Sequence, residues 1–231
     1  ALAFLAALFP SAAAAPGGLI SIFSPATSAH ATVLFGGDMM FDRTIRSTMD
    51  EKGGDFIFSC IDDVLKSSDL VVANLEGPIT GNLSKSMGTA PGADGNYTFT
   101  FPTSTAALLF AHNIRLVNIG NNHIENFGFD GVRSTMSALT EAKVGYFGDT
   151  IHYTTETQNI NGILLAFINY NEFSSGGGSA SGGGAASTTI RQIEEARTQG
   201  KFPIVYTHWG VEYATTSPEY IRVLARRFVD A

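Results

Sequence analysis

The chain has 231 residues, of which 44% are hydrophobic and 15% charged, enough apolar material for a sizeable core and too much for a disordered chain. A formal net charge of -7 and a pI near 5.1 leave no basic footprint, which argues against nucleic acid as a partner. The one cysteine, Cys60, has no partner for an internal disulfide, and in FIFSCIDDVL it reads as a buried structural thiol on an apolar helix face.

Residues 1–37 contain no Lys, Arg, Asp or Glu, and ALAFLAALFPSAAAAPGGLISIF is apolar and small. Residues 1–31 therefore read as an export signal or an N-terminal membrane anchor, with an apolar linker as the bland alternative. Pro10 interrupts the run short of the about 20 apolar residues that a membrane span needs, and Ala29-His30-Ala31 has the form of a cleavage site, which favours the signal. The expected location is extracytoplasmic, secreted or anchored to the outer face of the cytoplasmic membrane. Residues 32–231 form the expected folded domain.

Thr32 to Phe35 reads as the first strand, delivering Gly36-Gly37-Asp38 at its end. A helical pattern follows through Ile45 and Met49; within it Arg43 either reaches an anionic group bound nearby or is a solvated helix residue. Phe56 to Lys66 reads as a helix, and Leu70 to Ala73 opens a second strand that ends in Glu76, stopped by Gly77-Pro78. Thr80 to Asn96 is an expected surface loop and Tyr97 to Phe101 an expected short edge strand. Ala106 to Asn113 is a helix feeding the strand Ile114 to Ile119, after which Gly120 turns the chain and presents Asn121, Asn122 and His123. Gly131 to Lys143 is an amphipathic helix, and Val144 to Asp149 a short strand and turn. Thr154 to Asn161 and Ile163 to Tyr170 form a hairpin turning at Asn161-Gly162. Ser174 to Thr188 is a small-residue loop, flexible by composition, that acts as a lid or a passive linker. Ile190 to Gln199 is a helix, and Phe202 to Tyr206 a strand that delivers His208. A last helix, capped by Ser217 with Pro218 in its first position, runs to Ala231 without a stop signal and reads as truncated.

Strands alternating with helices predict an α/β fold with a mainly parallel core, and such sheets bind ligands beyond the carboxyl ends of their strands. Strand ends that finish in carboxylate, amide and imidazole side chains suit a metal or acid/base site, whereas a core has no need of all three at once.

GGDMMFDR, ANLEGPIT, NNHIENFG and THWGVEY, in this order and at these intervals, resemble the CapA family of capsule synthesis proteins. That family is associated with poly-gamma-glutamate and related to the calcineurin-like metallophosphoesterases. The resemblance covers Thr32 to Ala231 and implies a four-layer α/β/β/α sandwich of the metallo-dependent phosphatase type, C-terminally truncated here. Motif by motif, it implies Asp38, Glu76, Asn122 and His208 as metal ligands and His123 as the catalytic imidazole that stabilises or protonates a leaving oxygen. The implied cofactors are one or two divalent ions, Mn, Zn or Fe. Met40 stands where a phosphoesterase has the His of its Asp-x-His motif, and a C-terminal His-x-His element is absent, so the ligands present suffice for one ion and the second is doubtful. Arg43, Asn121, Trp209 and Glu212 are the candidate substrate contacts; Trp209 and Tyr213, flanking Glu212, either line a groove or pack the turn. The implied function is that of an exported metal-dependent hydrolase in capsule or cell-surface polymer synthesis, acting on a phosphoester or on a polyglutamate amide. Two rivals stand beside it: a non-catalytic subunit that holds an anionic polymer or scaffolds membrane polymer synthases, and a general phosphodiesterase or nucleotidase.

Overall fold

The computed structural model describes residues 29–152, 154–173 and 183–231. Most of the expected export segment, and residues 174–182 of the expected flexible loop, lie outside the described residues. Strands β1 (Val33–Met39), β2 (Leu70–Leu75), β3 (Ile114–Asn118) and β4 (Gly145–Phe147) pair in chain order, all parallel. Parallel neighbours need crossovers, which helices α1 (Arg43–Lys52), α2 (Asp62–Lys66), α3 (Thr105–Ala111) and α4 (Gly128–Glu141) supply. A second sheet combines the hairpin β5 (Glu156–Ile160) and β6 (Ile163–Asn171), turning at Asn161-Gly162, with β7 (Phe202–His208) parallel to β6. Helices α5 (Gly183–Thr198) and α6 (Glu219–Asp230) flank β7 in sequence.

The central strands β2, β3 and β6 are buried on both faces, so successive residues enter different cores. Val71, Leu75 and Val117 pack with Met49, Leu65, Leu109, Val132 and Leu139, which are the inner faces of α1 to α4. Leu70, Val72, Leu116 and Phe147 face the other way, against Leu165 and Phe167 of the second sheet. The alternate residues of β6, Ala166, Ile168 and Tyr170, meet Ile193 and Ala196 of α5 and Leu224 and Phe228 of α6. Helices, sheet, sheet and helices thus stack as the expected four-layer α/β/β/α arrangement. Each fully buried Phe or Leu contributes about 1.5 to 3 kcal/mol of hydrophobic stabilisation. Among the described residues no helix is long and apolar enough to cross a membrane.

Several local expectations need correction. Phe56 to Lys66 is not one helix: a 3-10 turn, Gly54–Phe58, precedes the short α2. The break lets Asp55 and Asp62 grip opposite nitrogens of the buried His112 at 3.0 and 2.6 Å, while Phe58 stacks on its ring. The same break leaves Cys60 exposed rather than buried. Tyr97 to Phe101 is not a strand, because its backbone groups bond in several directions. Phe101 makes a single bridge to Ile79, the Phe99 amide donates to Asn126 and the Thr100 amide to Asp42. α5 starts well before Ile190, so residues 183–188 of the expected loop are helical; Ala186 is buried against the second sheet, and that packing outweighs its weakly helical neighbours. Pro218 occupies the N-cap position of α6, and Ser217 makes no side-chain cap.

Candidate metal centre

Local backbone features aim the site residues. The pairing of β1 with β2 shifts register between Phe35 and Asp38, as a bulge does, and brings Asp38 beside Asn74. Glu76 follows β2 directly and is fixed by Gly77, whose φ of 155 lies outside the range side-chain-bearing residues favour. A Cβ on Gly77 would also come within 3.0 Å of the Phe101 ring. Asn122 and His123 leave the end of β3, and His208 closes β7 in the other sheet. Gly120 has a different role from the expected sharp turn: a Cβ there would lie 2.4 Å from the Asn169 side chain, so the glycine makes room.

One ligand atom from each of Asp38, Glu76 and His208 falls within 4.8 Å of the others. The His208 ring lies between both carboxylates, with Nδ1 3.9 Å from Asp38 Oδ1 and Nε2 3.5 Å from Glu76 Oε1. Asn122 Oδ1 is 2.8 Å from His208 Nε2, so all of the expected ligands, Asp38, Glu76, Asn122 and His208, meet at one rim of the two sheets. His123 Nε2 is 3.9 Å from Glu76 Oε1, its ring centroid 4.3 Å from that of Phe99. His123 Nδ1 lies 3.2 Å from Asn126 Oδ1, which also accepts the Phe99 amide. An amide oxygen only accepts, so the neutral ring carries its proton on Nδ1 and turns the Nε2 lone pair to the cleft.

Burial, together with the Asp38 charge, raises Glu76 to about 7 against a bond from Asn74 that favours the ionised form. Burial lowers both His123 and His208, so both imidazoles are neutral at neutral pH. Among the described residues, the basic side chains within 4.0 Å of the two carboxylates are these neutral histidines and no Lys or Arg. Two carboxylates, an amide oxygen and a neutral imidazole, with no Lys or Arg to balance them, fit a divalent ion. For a second ion Met40 offers no ligand: it turns from the cleft, its sulfur accepting the Asp42 amide at 3.3 Å and its side chain packing on the helical core.

The centre floors an open cleft of about 700 Å³ whose far wall is the segment after β7, including Trp209, Glu212, Thr216 and Ser217. Of the candidate substrate contacts, Trp209 and Glu212 line this cleft, and Arg43 and Asn121 do not. The Trp209 ring also stacks on Phe228 and meets Tyr170 edge-on. Tyr213, 96% exposed, packs nothing. Arg43 donates to the Asn96 carbonyl at 3.0 and 2.6 Å and covers the Phe99 ring, supporting the wall behind His123. Asn121 is buried beneath the site, with its oxygen taking the amides of His123 and Ile124 and its nitrogen donating to Leu75. Sequence reasoning missed Asn74, which donates to Asp38 Oδ1 at 2.8 Å and to Glu76 Oε2. The signal was a lone amide inside the apolar run LVVANLE.

The family profile described as bacterial capsule synthesis protein PGA_cap matches residues 32–231. The chain is 27% identical over 214 residues to the capsule biosynthesis protein CapA of Bacillus anthracis, covering 87% of this chain and 51% of that protein. It is 26% identical over 208 residues to the PGA biosynthesis protein CapA of Bacillus subtilis strain 168, covering 85% of this chain and 53% of that protein. The chain therefore spans about half the length of the curated relatives it matches. Because the matched residues take in both sheets, their flanking helices and every member of the rim cluster, the chain belongs to the bacterial capsule synthesis protein family PGA_cap.

Proposed function

We propose that this chain is an exported, metal-dependent hydrolase-like component of capsule or poly-gamma-glutamate biosynthesis, working outside the cytoplasm. The observation that carries the reading is the convergence of Asp38, Glu76 and His208, with Asn122, on one point at the floor of an open cleft. Asp38, Glu76, Asn122 and His208 would hold Mn, Zn or Fe. A bound ion of this kind polarises a phosphoryl or carbonyl oxygen and lowers the pKa of water. His123 takes or returns a proton at Nε2, with Asn126 fixing the ring through Nδ1. Trp209 gives an apolar wall and Thr216 and Ser217 hydroxyl donors for an anionic cell-surface polymer or phosphoester.

A second reading, a polymer-holding subunit attached to membrane polymer synthases, is favoured by Met40: its inward packing leaves β1 with a single ligand side chain. Metal analysis of the full-length protein, with assays on phosphodiester and gamma-glutamyl substrates for wild type, Asp38→Ala and His208→Ala, separates the two. Turnover lost in both variants supports the hydrolase. Full metal loading without turnover on either substrate class supports the holding subunit. Metal content unchanged in both variants removes the ligand assignment.

A further inference from the structure

β2, β3 and β6 each place an asparagine directly after apolar residues, at Asn74, Asn118 and Asn169. Asn74 and Asn118 are wholly buried and paired in register, with Asp38 next in the row. An unbonded amide costs about 1 to 3 kcal/mol when buried, so a run of them calls for an account of every hydrogen bond.

That account closes for Asn74 and Asn118. Asn169 Nδ2 donates to Asn118 Oδ1 at 2.9 Å and to the Gly120 carbonyl at 3.0 Å. Asn118 Nδ2 donates to Asn74 Oδ1 at 2.8 Å, and Asn121 Nδ2 donates to the same oxygen at 3.0 Å. With its oxygen filled twice, Asn74 has only its Nδ2 to turn toward Asp38 and Glu76. None of these amides is free to flip: backbone groups fix the ends of Asn169, Asn118 and Asn121, and the last two fix Asn74. The Gly120 N–H bonds Asn118 Oδ1 at 3.2 Å, the Leu75 carbonyl receives Asn121 Nδ2, and the His123 N–H bonds Asn121 Oδ1. Two glycines clear the space: a Cβ on Gly120 would meet the Asn169 amide at 2.4 Å, and one on Gly148 would meet Asn118 Oδ1 at 2.8 Å.

We propose that Asn169, Asn118 and Asn74 form a one-directional hydrogen-bond relay, running from the second sheet through the first, that sets the two carboxylates of the rim cluster in the pose that receives a divalent ion. The inference rests on the metal-centre reading and makes the three asparagines positioning residues. They touch neither cleft nor substrate; they act through Asp38 and Glu76. Each wrong orientation of Asn74 would aim an oxygen at two carboxylates, so the relay also excludes the alternative pose.

Cobalt(II), whose visible spectrum reports its ligand geometry, is the probe, with the full-length protein. Asn74→Leu is expected to lose about 10- to 100-fold in Co²⁺ affinity, the range for removing a residue that orients a ligand. Asn118→Leu, which contacts neither carboxylate, is expected to lose less and to alter the Co²⁺ spectrum. Thr135→Val removes a buried hydroxyl that accepts the Ile79 amide and bonds none of the rim residues, and it should lower the melting temperature with affinity and spectrum unchanged. Should the Leu variants not fold, the wild-type side-chain amide resonances of Asn74, Asn118 and Asn169 take their place: all three should exchange slowly and shift together on adding Zn²⁺. Wild-type affinity and spectrum in both Leu variants, or Asn118 and Asn169 resonances indifferent to Zn²⁺, overturn the relay. If binding is lost in Asp38→Ala, the metal centre survives that failure. Binding unchanged in Asp38→Ala overturns the centre and the relay together.

Discussion

Burial and the Asp38 carboxylate hold Glu76 at about 7, well above the 4.5 of a free glutamate. The metal-free folded protein therefore binds a proton that the unfolded chain has already released. Its stability contribution is whole below about 4.5 and is lost as pH rises through about 7, a cost of about 3 kcal/mol. His123 and His208, lowered by burial, act with the opposite sign: they lose stability as pH falls below 6.5. The clean measurement is a difference. Metal-free Glu76→Gln should melt progressively higher than wild type between pH 5 and pH 8, with the gap largest at pH 8. Cation binding expels the same proton, so calorimetry in buffers of differing ionisation enthalpy should show proton release below pH 7 and none above pH 8. His123→Ala should leave bound metal unchanged and lower turnover by about 10² to 10⁴.

Helix α1 begins at Asp42, whose buried carboxylate does more than cap. Oδ1 accepts the Arg43 amide at 2.9 Å and the Ser84 hydroxyl, and Oδ2 accepts the Thr100 amide at 2.9 Å. Arg43 itself has a φ of 52, a conformation its guanidinium bonds to Asn96 help hold. Asp42→Ala strands the buried Thr100 amide and should cost about 2 to 3 kcal/mol in urea denaturation. Elements with strong apolar runs were legible in sequence: the four parallel strands, the hairpin at Asn161-Gly162 and β7 follow directly from pattern. Elements shaped by a distant partner were not. His112 gathers Asp55 and Asp62 and breaks the helix expected at Phe56 to Lys66, while Asp42 and Asn126 pull apart the strand expected at Tyr97 to Phe101. Neither tether leaves a local periodicity.

The two sheets share no ladder and are joined by the layer containing Phe147 and Phe167, both fully buried. Phe167→Ala removes a ring from that layer and should cost about 3 to 5 kcal/mol in chemical denaturation. The site was legible to the depth of one residue per strand end, because Asp38, Glu76, Asn122 and His208 each follow an apolar run. The relay behind them was not, since a single Asn in a strand carries no clue to what lies across the sheet. Asp38 lies in one sheet, with Glu76 and Asn122 just beyond the ends of its strands, and His208 lies in the other. An ion seated among them would rivet the two halves of the sandwich. At a hundredfold excess over its dissociation constant it would add about 2.7 kcal/mol against unfolding. Hydrogen exchange along β7 would slow with it, and any partner that prises β7 away would eject the ion, making grip on the metal a gauge of whether the halves are closed.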